Sequence, residues 1–104
     1  MKDRLNSAEC STYLRALAEP ERLRIVQCLA GGPMPVGDIC RQMESAMPNV
    51  SHHLKQLRIA GLVLSRKKGR FVIYELTPAV HHRGPQSALN VLEFGCCRIE
   101  LGRK

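Results

Sequence analysis

The side chains of this chain with the richest chemistry are its thiols and imidazoles. Five cysteines stand at positions 10, 28, 40, 96 and 97, and the four histidines form two adjacent pairs, at 52 and 53 and at 81 and 82. Thiolates are soft donors that prefer thiophilic ions. They also oxidise reversibly, and a thiol with neither role packs as a small hydrophobe. None of the five has the paired spacing of a zinc ribbon or finger. Only Cys96 and Cys97 are adjacent in sequence. A disulfide between these neighbours would close a strained ring, so an oxidised partner for either is expected at a distance. No nucleophile with a neighbouring base, no phosphate-cradling glycine loop and no paired carboxylates accompany them, and catalysis is not expected.

Charge offers a second chemistry. The 104 residues carry 16 Lys and Arg against nine Asp and Glu, a net charge of +7. Between Glu44 and Glu75 lie thirty residues without an acid, and they hold Lys55, Arg58, Arg66, Lys67, Lys68 and Arg70. A surface of one sign over that length suits a polyphosphate partner. The plainer alternative is a solvated basic face. A metal carrier without a regulatory role has no use for such a stretch, and salt-sensitive DNA binding separates the two classes.

Elements that could position these residues follow from periodicity. Apolar residues at 10, 14 and 17 predict one face of a first helix. "PERLRIVQCLAGG" opens on a proline, repeats at Leu23, Val26 and Leu29, and stops at Gly31-Gly32. "PMPVGDICRQM" gives a short third helix with Val36, Ile39, Cys40 and Met43 inward. A fourth helix, "PNVSHHLKQLRIAG", turns Val50, Leu54 and Leu57 inward and is capped by Gly61. The period then changes, and "LVLSRKKGRFVIYEL" predicts two strands around a basic turn. "TPAVHHRGP" reads as a loop, "QSALNVLEF" as a last short helix, Gly95 as its break and "RIEL" as a candidate strand.

Together these predict an α+β, mainly α winged helix-turn-helix with a two-stranded basic wing. One domain spans 1–104, with a C-terminal dimerisation and sensor segment at about 84–104. With no Trp, two Phe and two Tyr, the core must be aliphatic. The beginning, "MKDRLNSAEC", lacks the apolar run of a signal peptide and no stretch reaches the length of a membrane span. A cytoplasmic protein with reduced thiols and no organic cofactor is expected.

The motifs "LAEPERLRIVQCLAGG", "VGDI", "PNVSHHLKQLRIAGLV" and "RKKGRFVIYELTP" resemble the ArsR/SmtB family of metal-responsive bacterial repressors, over about Leu14 to Pro78. The resemblance implies a homodimer joined through the first and last helices, an operator with two-fold symmetry and release by an inducer. On the fourth helix it makes Asn49, Ser51, His52, Lys55 and Gln56 candidates for base and phosphate contacts. His53 completes the family's Ser-x-His and flanks the inner stripe, so packing and phosphate contact both stand open for it. Met47 replaces a Gln frequent in the family. Arg66, Lys67, Lys68 and Arg70 match the wing.

The same resemblance narrows the inducer site. The family's Cys-x-Cys-Asp site is absent, because Pro35 and Gly37 precede Asp38 where the thiols would stand. Cys40 alone cannot make a site and is expected to pack. The family's Asp-x-His site for zinc lacks partners, which leaves His81 and His82 as solvated loop residues. Some members are thought to sense trivalent arsenic through C-terminal vicinal cysteines, which points to Cys96 and Cys97. Trivalent arsenic takes three sulfurs, and Cys10 on the first helix is the candidate third ligand, supplied across the dimer. Arsenite stands ahead of cadmium or zinc. Oxidant or persulfide sensing, with Cys28 one position off the family's pattern, is an alternative, as are packing of the pair and the lack of any metal response.

Overall fold

The computed structural model describes residues 6–83 and 90–101. Four helices come first: α1 (Ser7–Leu17), α2 (Pro20–Ala30), α3 (Val36–Met43) and α4 (Met47–Ile59). A two-residue strand, β1 (Met34–Pro35), precedes α3, and a hairpin of β2 (Val63–Lys68) and β3 (Phe71–Leu76) follows α4. β3 lies between β1 and β2, antiparallel to both. A second antiparallel sheet is built from β4 (His81–Arg83), β5 (Asn90–Glu93) and β6 (Arg98–Leu101), in that order. The predicted winged helix-turn-helix, with helices as its larger part, is the fold observed. No helix among the described residues is long and apolar enough to cross a membrane.

The core is aliphatic. Ile25, Val26 and Leu29 of α2 meet Ile39 of α3, then Val50, Leu54 and Leu57 of α4, and all are buried. Leu62, Val63 and Leu76 close it at the base of the wing. Two expected core positions lie outside. Leu14 and Leu23 are exposed, because α1 turns Cys10, Tyr13 and Leu17 inward and α2 turns Ile25, Val26 and Leu29. Steps of three and four residues both fit a helix face, so a one-position shift costs the pattern nothing.

The helix ends are fixed by local hydrogen bonds. Glu19 caps α2, its carboxylate accepting the Arg22 N–H at 2.9 Å, and Pro20 occupies the first turn. At the end of α4 the Leu62 N–H reaches the Leu57 carbonyl at 2.9 Å and the Gly61 N–H reaches Arg58 at 3.0 Å. This double bond pattern is a Schellman motif, and it needs the left-handed φ of 86° that Gly61 adopts. The Thr77 hydroxyl donates to the Gly61 carbonyl at 2.7 Å, tying the turn to the strand that returns from the wing.

The C-terminal part departs from expectation. Asn90–Glu93 is a strand, not the end of a helix, and β4 runs through the segment read as a loop. Residues 84–89, where the last helix was to begin, lie outside the described residues. Leu92 and Phe94 are buried while Val91 and Glu93 are only half-buried, a period of two. The run is too short for a 3.6-residue period to compete with the pairing partners on either side. "RIEL" is the strand β6, as expected. Gly95, expected to break a helix, instead sits in the β5–β6 turn with φ 91°. Among the described residues the C-terminal segment is therefore a sheet rather than the expected last helix.

Candidate nucleic-acid interface and thiol cluster

α4 has no acid along its length, and the side of it turned from the core is polar. Asn49, Ser51, His52 and Lys55 are exposed there. Gln56 is not on that open face. It is half-buried and lines a cavity of about 260 Å³ with Thr12, Arg15, Ala16 and Arg22, because α1 packs beside it. The Asn49 amide is held within the protein, donating to Glu21 at 2.6 Å and to the Ser45 hydroxyl at 2.9 Å. His53 is 12% exposed and lies between two carboxylates, Glu19 at 3.7 Å from Nδ1 and Glu21 at 3.4 Å from Nε2. Its Nδ1 has no hydrogen bond. The ring thus serves the α2–α4 junction, while His52 packs edge-on against it and faces outward.

The wing continues the same charge. Arg66, Lys67, Lys68 and Arg70 are all exposed. Lys68 pairs with Phe71 across a two-residue loop in which Gly69 takes a φ of 64°. Arg66 is partly offset by Glu75 at 3.9 Å. Arg58 at the end of α4 donates to the Ser65 hydroxyl of β2 at 3.3 Å, which links helix to wing. Arg58 lay in the acid-free stretch, but only the fold reveals this linking role. The side chains expected to meet DNA therefore occupy one helix and the hairpin after it, joined by the Gly61 turn.

A second cluster lies at α1. Cys10, 3% exposed, is disulfide-bonded to Cys96 of the same chain, with Cα atoms 6.4 Å apart. The expectation that Cys10 would reach the pair from the partner subunit gives way to a contact within one chain. Cys97 Sγ stands 3.7 Å from Cys96 Sγ. The Phe94 carbonyl lies 3.3 Å from Cys10 Sγ, in position to accept from that thiol once the bond is reduced. Among the described residues no group of three or more His, Cys, Asp or Glu is arranged to hold a metal ion in this oxidised form. Cys40 is half-buried against the core, as expected of a packing residue. His82 is exposed, whereas His81 is half-buried and its Nε2 lies 2.8 Å from the Asn90 side-chain oxygen, so it is a sheet residue rather than a loop one.

An α-helix fits the major groove, a basic hairpin reaches the neighbouring backbone or minor groove, and the helix before braces the first. Fold and surface together define a winged helix-turn-helix DNA-binding regulator. Residues 17–66 match the family model of a helix-turn-helix domain. The chain is 33% identical over 85 residues to the transcriptional repressor SdpR of Bacillus subtilis, covering 82% of this chain and 94% of that one. It is 40% identical over 67 residues to the arsenical resistance operon repressor of Escherichia coli, covering 64% of this chain but only 57% of that one. The homodimeric winged helix-turn-helix DNA-binding domain Mb0332 of Mycobacterium bovis superposes with a TM-score of 0.68 at 27% identity, over 76% of this chain and 75% of that one. The chain belongs to the ArsR/SmtB family of transcriptional regulators, and it is not an enzyme.

Proposed function

We propose that the chain is a repressor of transcription that binds a two-fold symmetric operator as a homodimer and lets go when its thiols react. In this reading 1–104 is one regulatory domain working where the DNA is, in the cytoplasm, with the segment from about 84 onward as its sensor. The observation that carries it is the basic surface of α4 and the wing tip, on which Ser51, His52, Lys55, Lys67, Lys68 and Arg70 are all exposed and within which residues 45–74 hold no acid. Asn49 joins them once its amide leaves Glu21, and Arg66 once it leaves Glu75. Gln56, half-buried beside α1, would contribute only by turning out of the cavity it lines. The homodimeric relative Mb0332 supports two-fold assembly.

For the inducer, the sulfur atoms of Cys10, Cys96 and Cys97 form the sensor. After reduction these three thiols fit trivalent arsenic, a relationship supported by the arsenical resistance repressors among the relatives. Arsenous acid would exchange its three hydroxyls for three thiols, forming three As–S bonds while each thiol proton leaves with a hydroxyl as water. A second reading is favoured by the Cys10–Cys96 bond itself. Hydrogen peroxide would take two electrons and two protons from the Cys10 and Cys96 thiols, leaving the disulfide and two waters. In a reducing compartment the resting state is the dithiol, so formation of the bond would carry the signal.

The test is a duplex chosen by the reduced protein from a random-sequence pool, followed by release titrations. Binding that falls steeply with salt and a palindromic consensus are expected. Arsenite should release the duplex from wild type and not from a Cys96→Ser, Cys97→Ser double variant that still binds. Release by peroxide with none by arsenite would select the second reading. Failure to select any duplex would remove the repressor assignment.

A further inference from the structure

We propose that Phe71 is an apolar wedge that enters the minor groove between base pairs when the wing meets DNA. The proposal rests on the DNA-binding reading above. An isolated exposed apolar residue is ordinary on a protein surface. Phe71 differs in where it sits and in what surrounds it. It is the first residue of β3, directly opposite Lys68 and next to the Gly69-Arg70 loop, so it occupies the tip of the hairpin. Its ring is 56% exposed, although the chain has only two phenylalanines and the other, Phe94, is buried.

Strand alternation sets its direction. Val63, Ser65 and Lys67 share a face with Val72, Tyr74 and Leu76, and this face is buried at the base of the wing. Leu64, Arg66 and Lys68 share the opposite face with Phe71, Ile73 and Glu75. Phe71 therefore points away from the core, between the cations of Arg66 and Lys68, with Lys67 and Arg70 beside the loop. Arg66 and Lys68 on the ring's own face, with Lys67 and Arg70 at the same hairpin tip, suit a duplex better than a protein partner, whose interface centre is depleted in charge. The minor groove is about 6 Å wide, room for a hairpin tip and one ring but not for a helix. Apolar side chains that enter it unstack a base step and bend the duplex.

The experiment uses the duplex selected by wild type, labelled at both ends, with affinity read by anisotropy and bend by energy transfer. Phe71→Ala should weaken binding about tenfold, the scale of a lost base–aromatic stack. It should straighten the duplex and leave the salt slope unchanged, since no charge is removed. Phe71→Leu, still apolar, should keep most of the bend. Because the ring is exposed, both variants should melt with wild type. Wild-type affinity and bend in Phe71→Ala would overturn the wedge while leaving DNA binding intact. So would a loss of self-association in that variant without a change in DNA binding, which would assign the face to contact between copies. If wild type itself selects no duplex, the DNA-binding reading fails first and the wedge with it.

Discussion

The ring of Tyr13 lies stacked on that of Phe94, centroids 4.7 Å apart and planes 16° from parallel. Phe94 is the residue before the Gly95-Cys96-Cys97 turn, and its N–H donates to the Cys97 carbonyl at 3.0 Å. The far side of Tyr13 approaches Gly61, where the position of a β-carbon would be 3.8 Å from Cε1. One aromatic side chain thus stacks on the residue before the thiol turn and lies near the turn that ends α4. If a change in the Cys10–Cys96 linkage shifts Phe94, the stacked Tyr13 is the side chain placed to pass that shift toward α4. Tyr13→Ala should leave reduced DNA binding within about threefold of wild type. It should also shrink the response to arsenite or peroxide, from a coupling of about 1–3 kcal/mol to less than half of that. Anisotropy titrations with and without inducer measure the difference, and a full response in the variant would show that the stacked pair carries no coupling.

Gly61 gives a stability prediction with one cause. Its φ of 86° lies where a β-carbon is unfavourable, and no heavy atom crowds the space a methyl would take. Gly61→Ala should cost about 1–2 kcal/mol from backbone strain alone. The urea midpoint should fall with the slope unchanged. A neutral result would mean that the α4 terminus relaxes out of the Schellman geometry.

Much of the DNA-binding half was legible because its signals are local. Val50, Leu54 and Leu57 repeat at helical spacing, Gly61 ends the helix and "KKGR" marks the hairpin, each within a few residues. The C-terminal half was misread for the opposite reason. "NVLEF" satisfies a helix or a strand, and its choice rests on pairing with His81–Arg83 and Arg98–Leu101. The Cys10–Cys96 contact spans 86 residues, beyond any pattern along the chain. Gln56 reads as an outer-face residue until α1 is known to pack beside it. The ion pair of Arg66 and the hydrogen bonds of Asn49 are likewise tertiary facts.

The basic wing and the outer face of α4 should separate in their effect on DNA. Lys67→Ala with Lys68→Ala should weaken binding to selected and random duplexes alike. If both lysines meet phosphates, the slope of log affinity against log salt should become shallower by about 2. His52→Ala should instead cost about 1–3 kcal/mol on the selected duplex and little on random DNA. An equal loss on both duplexes would move His52 from base reading to backbone contact.

Cys97 is the residue that distinguishes the two sensor chemistries, because it belongs to one and not the other. The disulfide joins Cys10 and Cys96, so oxidation needs only those two. Closing a loop of that length restricts the unfolded chain, and disulfides typically stabilise by about 2–4 kcal/mol. Oxidised wild type should therefore unfold at higher urea than reduced wild type, and Cys10→Ser or Cys96→Ser should erase the gap. Cys40→Ser, which takes no part in the bond, should keep it. Cys97→Ser should also keep both the gap and the peroxide response, since its sulfur lies beside the bond without forming it. Arsenite needs three sulfurs, and without Cys97 it has two, so its release of DNA should require far more inducer. A Cys97→Ser protein that answers arsenite as wild type does would exclude the three-thiolate site. A Cys97→Ser protein that loses the peroxide response would make Cys97, not Cys96, the working partner of Cys10.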